Sequence, residues 1–107
     1  MGEIRLEEKE GGRMLTAEGR LGIQDASVLK NFLVEAYQAG SALLVDLTRA
    51  ESVDLACAQV LCSARDTFEE AKKTLRLVGE LPEGVIRSWN DMAIDPFGRD
   101  SGFGRES

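Results

Sequence analysis

The 107-residue chain has no histidine, only two cysteines and no long apolar run, and its 13 basic side chains are outnumbered by 19 acidic ones. Without histidine there is no Ser-His-Asp or Cys-His catalysis, no histidine phosphotransfer and no imidazole metal ligand. Cys57 and Cys62 lie five residues apart. On one helix their Cα atoms stand roughly 8–9 Å apart, from a rise of about 1.5 Å per residue and a radius of about 2.3 Å. That is beyond disulfide reach, and five is the wrong interval for a C-x-x-C redox or zinc pair. The plain reading is two small thiols, buried in a reducing compartment. No stretch approaches the roughly 18 apolar residues of a membrane span, and residues 1–12 are too charged for a signal peptide. A cytoplasmic protein with no membrane insertion is expected. The net charge of −6 argues against nucleic acid or an anionic membrane as primary partner, since both are met by basic patches.

What is present is ordinary in amount and informative in order. The length suits one domain, and 43% apolar with 30% charged residues suits a globular protein with a core. Residues 4–8 alternate weakly as a strand, Glu10-Gly11-Gly12 reads as a hairpin turn, and residues 13–18 return as a second strand. Asp25 is placed to cap a helix over residues 26–39, with Gly40 as its stop. Val28, Leu29, Phe32, Leu33 and Ala36 form its apolar stripe. Residues 42–47 make a continuous apolar run broken only by Asp46, the pattern of a central strand covered on both faces.

A second helix is expected over residues 55–72, with Cys57, Leu61, Ala64, Phe68 and Ala71 on one face. Glu69, Glu70, Lys72 and Lys73 form its solvated side. Leu75, Leu77 and Val78 mark another strand. Pro82 then opens a third helix, with Glu83 in its first turn and Val85, Trp89 and Met92 on one face. From residue 95 the periodicity ends, and residues 95–107 read as a flexible tail carrying Phe97 and Phe103. The expectation is an α/β fold: a single small domain over residues 1–94, with a mixed sheet of about four strands and three to four helices.

Functional surfaces of such sheets gather where strands end and helices begin. Here that place is the connection expected over residues 48–57. It carries Ser52, Asp54, Leu55, Ala56, Cys57 and Ala58, with Asp54 suited to cap the second helix. Nothing along the chain pairs a nucleophile with a base. No glycine-rich loop lies between a strand and a helix, and no cofactor or metal site is expected. Asp46 at a strand end invites comparison with a phospho-acceptor receiver domain. However, residues 4–18 hold no adjacent acidic pair for Mg²⁺, and the chain is short for five βα units. Asp46 is then a carboxylate that satisfies nearby backbone donors.

The order Val45-Asp46-Leu47, a connection ending Val53-Asp54, and a helix at once resembles the STAS domain (sulfate transporter and anti-sigma factor antagonist). That family shows an apolar-Asp-Leu strand and then an Ile-Asp-Ser-Ser-Gly or Ile-Asp-Ser-Thr-Gly motif opening a helix. Gly19-Arg20-Leu21 resembles the family's Gly-Glu-Leu turn, and residues 75–78 with 82–94 resemble its next strand and helix, so the likeness covers about residues 3–94. In the family, the second Ser or the Thr of the motif is phosphorylated by a serine kinase that doubles as an anti-sigma factor. A phosphate there is held by the helix amino end while its charge disrupts docking.

Carried over by position, Asp54 matches the acidic residue, Leu55 and Ala56 replace the two hydroxyl residues, and Cys57 replaces the glycine. Ala56 cannot accept phosphate, and Gly22 stands where the antagonists carry an Asp. Thr48, Ser52 and Ser63 are nearby hydroxyls that do not match the motif. A redox role for Cys57 would rest on a helix amino end lowering its thiol pKa, whereas its place on the apolar stripe predicts simple burial. The resemblance implies a non-catalytic, interaction-only module. It would dock through residues 52–58 and the exposed face of the second helix onto a protein such as an anti-sigma factor or serine kinase. The alternative is an accessory subunit bound to the ATPase of a lipid-transporting ABC complex.

Overall fold

The apolar run of residues 42–47 is the inner half of a strand twice that length. In the computed structural model, which describes residues 2–9, 12–40, 42–94 and 96, strand β3 extends over Ala42–Val53. Before it come β1 (Glu3–Lys9), β2 (Gly12–Leu21), a 3₁₀ turn (Ile23–Asp25) and helix α1 (Ala26–Ala39). After it come α2 (Leu55–Glu70), β4 (Thr74–Val78) and α3 (Glu83–Asp91). The described residues thus give the expected mixed sheet, in the order β1-β2-β3-β4, with three α-helices.

β1 and β2 form an antiparallel hairpin in which Lys9 faces Gly12; the two residues between them, 10 and 11, lie outside the described residues. β2, β3 and β4 are parallel. Two successive right-handed crossovers stepping the same way across a sheet put their helices on one face, and α1 and α2 pack against each other. Leu15, Leu43, Val45 and Leu47 project into a shared core with Leu29, Leu33, Leu61 and Phe68. The opposite face of β3, with Ala42, Leu44 and Asp46, is half-buried, so this strand is fully covered on one side only.

Residues 48–53 were expected as a loop and Gly19-Arg20-Leu21 as a turn; both are strand. Their pairing is irregular, with register shifts between Thr16 and Glu18 and between Gly19 and Arg20. Gly19 adopts φ +78°, a left-handed value that glycine takes without strain and that suits a bulge. The bulges let Leu47, Ala50 and Val53, three residues apart, all turn to the core. A period-two reading could not find that strand.

The helices carry smaller corrections. Val28 is 44% exposed and leaves the α1 stripe. Asp25 precedes α1, yet its carboxylate accepts from the Gly22 N–H (2.8 Å) instead of capping that helix. Gly40 ends α1 in extended backbone. α2 stops at Glu70, where Lys72 takes φ +59° and the Lys73 N–H donates to the Phe68 carbonyl (2.8 Å). Ala71 therefore falls beyond the helix and is exposed. The tail expected over 95–107 lies outside the described residues, apart from Pro96, which is buried.

Candidate functional site

The ends of β2 and β3 create the site. Leu21 and Val53 are paired at the last rung, and the Asp54 N–H donates to the Leu21 carbonyl (2.8 Å), which ties the two chain exits together. One exit becomes the 3₁₀ turn and the other the first turn of α2. The Asp54 carboxylate accepts from the Ala56 N–H (3.4 Å), as an N-cap should, and its carbonyl accepts from the Ala58 N–H (2.9 Å). Arg20, Gly22, Gln24, Ser52, Asp54 and Ser88 of α3 line a small polar cleft at this edge. Arg20 pairs there with Glu51 at 3.6 Å.

Next to the cleft the surface is apolar. Leu55 is 43% exposed and Ile23 is 73% exposed, and the turn carrying Ile23 packs against the start of α2. Of the residues singled out from sequence, Ser52, Asp54 and Leu55 are exposed and Ala56 is half-buried. Cys57 and Ala58 are different: both are wholly buried in the core. An α-helix turns about 100° per residue, so an outward Leu55 sends positions 57 and 58 inward, and a docking partner would not touch their side chains. Asp46 accepts from the Thr48 N–H (2.9 Å) and hydroxyl (2.7 Å), the local role expected of it.

Cys57 has the surroundings of a core residue. Its thiol donates to the Gly22 carbonyl (3.3 Å). Burial, reinforced by Asp25 and Asp54, pushes the thiol up to about 11, in keeping with the simple burial that its place on the apolar stripe predicts and opposite to the lowering a redox role would need. Iodoacetamide at pH 8 should leave Cys57 unmodified in the folded protein and alkylate it in urea; equal rates in both states would contradict the burial. A raised folded-state pKa means that the stability contribution is complete below about 9 and is lost as pH rises towards about 11. The urea midpoint should accordingly fall less steeply over that window in Cys57→Ala. Both cysteines are free of disulfide.

Sequence reasoning missed Ile23, Arg20, Gln24 and Ser88. It also missed a groove between α1 and α2 that begins beside Ala56 and passes Lys30, Val34 and Val60. The available signals were Val34 and Val60, apolar residues standing off the predicted stripes. Among the described residues, no cluster of three or more acidic or cysteine side chains is placed to hold a metal ion. None of the described helices is long and apolar enough to cross a membrane.

The paired strand ends, the capping Asp54 and the parallel β2-β3-β4 order agree with the sequence resemblance. A family model described as "Mlab, STAS domain" matches residues 4–88. The chain belongs to this STAS family. Its fold is similar to that of an anti-sigma factor antagonist from Mycobacterium paratuberculosis, at 14% identity and TM-score 0.67, over 87% of this chain and 79% of that one. It is also similar to an antisigma-factor antagonist STAS domain from Rhodobacter sphaeroides, at 23% identity and TM-score 0.58, over 79% and 96%. A third similar structure is the anti-sigma factor antagonist SpoIIAA in its unphosphorylated form, at 11% identity and TM-score 0.63, over 88% and 84%. No curated protein sequence matches significantly. At these identities the solved structures bear on the fold of this STAS domain alone.

Proposed function

We propose that this STAS domain is a non-catalytic docking module of the cytoplasm that acts as an anti-sigma factor antagonist-like regulator without a phosphate switch. The body over residues 1–94 binds a protein partner through Ser52, Asp54, Leu55 and Ala56 and the adjoining outer face of α2, and residues 95–107 form its tail. The observation that carries this reading is Leu55, a leucine turned 43% outward at the first position of α2 beside the more exposed Ile23. An apolar patch rimmed by Ser52, Asp54, Gln24 and Arg20 has the layout of a protein interface, with an apolar centre and a polar edge. Ala56, at the position the family motif gives to a hydroxyl residue, offers no acceptor for phosphate. The reading needs no cofactor. The nearest strong nucleophile, Cys57, is buried and its thiol pKa is raised, and the chain has no histidine to serve as its base. The net charge of −6 disfavours nucleic acid at this surface.

Ala56 also suits the alternative, an accessory subunit held on the ATPase of a lipid-transporting ABC complex, since a permanent subunit needs no release by phosphate. Neighbouring genes separate the two readings: a serine kinase and a sigma factor for the first, ATPase and permease genes for the second. The lost switch has a direct test. After incubation with ATP and an anti-sigma serine kinase, mass spectrometry should find the peptide spanning residues 52–63 unmodified. Stoichiometric phosphate on Ser52 or Ser63 would restore a switch and overturn this part of the reading.

A further inference from the structure

We propose that the groove between α1 and α2 seats an amphipathic helix of the partner protein, with its apolar stripe inward and a carboxylate against Lys30. This rests on the docking reading above and specifies the chemistry of what docks. The groove is open and encloses about 440 Å³. Its floor is the buried trio Leu33, Ala64 and Phe68, and its walls include Val34, which is 45% exposed, and the half-buried Val60. It runs from Ala26 to Tyr37 on one helix and from Ala56 to Phe68 on the other, which is about three turns or roughly 16–18 Å at 1.5 Å per residue. Lining residues recur every third or fourth position on both helices, so their ridges leave a furrow that a third helix fills by ridge-into-groove packing.

The two ends differ. The far end is closed where Tyr37 meets Phe68 edge-on, with ring centroids 5.4 Å apart, and Lys73 lies 3.9 Å over the Tyr37 ring and donates to its carbonyl. The near end opens at Ala56, so the groove is continuous with the docking surface. Lys30 is the one charged residue among the described lining residues, and no ion pair among the described residues engages it. Lys30, free of such pairs at the wall of an apolar furrow while Lys73 is engaged on Tyr37 at the far end, selects one acidic residue at one register of the incoming helix. The chain's own residues 97–107 fit less well, because Gly98, Gly102 and Gly104 disfavour a helix.

The test places p-benzoylphenylalanine at Val34, Gln59 or Ser52 of the full chain in its native host, and adducts formed on irradiation are mapped by mass spectrometry. Val34 and Gln59 should each cross-link to the same partner segment, one with apolar residues at helical spacing and an Asp or Glu. Lys30→Glu should cut that adduct at least tenfold without shifting the thermal midpoint, and replacing the partner's acid with Lys should restore it. The inference is overturned if Val34 and Gln59 cross-link to residues 97–107, to a second copy of the chain, to lipid, to a non-helical segment or to nothing. Indifference to Lys30→Glu overturns it equally. The Ser52 probe separates the two levels: a partner adduct there alone keeps the docking reading and removes the groove, and no adduct at any position removes both.

Discussion

Trp89→Ala should destabilise the domain by about 3–5 kcal/mol, the range for emptying a large aromatic site in a core. Trp89 is wholly buried with Val85 one turn earlier, and Leu81 joins them at the start of the same segment. α3 has only nine residues, far too few for a stable helix in water by itself. Its hold on β3 therefore depends on these side chains. The loss compares with a total of roughly 5–15 kcal/mol for a typical domain, so the variant should be partly unfolded or sharply less tolerant of urea. Because Trp89 is the only tryptophan, the transition has to be followed by far-ultraviolet circular dichroism. Trp89→Phe should lose distinctly less. A cost below about 1 kcal/mol for the alanine variant, the size of an ordinary surface change, would mean that α3 is not part of the core.

Leu55→Asp should reduce partner affinity by at least about 30-fold, equivalent to the roughly 2 kcal/mol of an interface hot spot, and leave the urea midpoint almost unchanged. Leu55 is partly exposed and begins α2, so a carboxylate there leaves no cavity and meets the favourable end of the helix dipole. Affinity is measured by titrating the isolated partner, with Leu55→Ala expected to give an intermediate loss. If Leu55→Asp unfolds the protein, the leucine belongs to the core. If binding is unaffected, the docking surface lies away from the strand ends.

Much of this molecule was legible in the chain because local chemistry and tertiary packing agree. The extent of α1 and the start of α2 followed from helical periodicity and from Asp54 as a cap, whose carboxylate accepts from the Ala56 N–H. The burial of Cys57 followed from its place in the stripe with Leu61, Ala64 and Phe68. Asp46 satisfied its own neighbourhood through Thr48. What was hidden depended on pairing between distant segments. β3 runs to Val53 because β2 continues beside it through bulges at Gly19, and no window of the sequence contains both strands.

The site divides the same way. The sequence by itself determined that Leu55 and Ala56 stand where the family motif carries hydroxyl residues, because residue identity is a covalent fact that folding cannot alter. It also determined the order of strands and helices, which periodicity and capping encode within a few turns of chain. Only the tertiary structure decided that Leu55 turns outward while Cys57 and Ala58 turn inward. The helix phase is fixed by which stripe reaches the sheet. It also brought Ile23 beside the start of α2 and left an apolar furrow along α1 and α2 with Lys30 on its rim. Those surfaces are made from residues some thirty positions apart, so they exist only once the sheet has set the distance between the two helices.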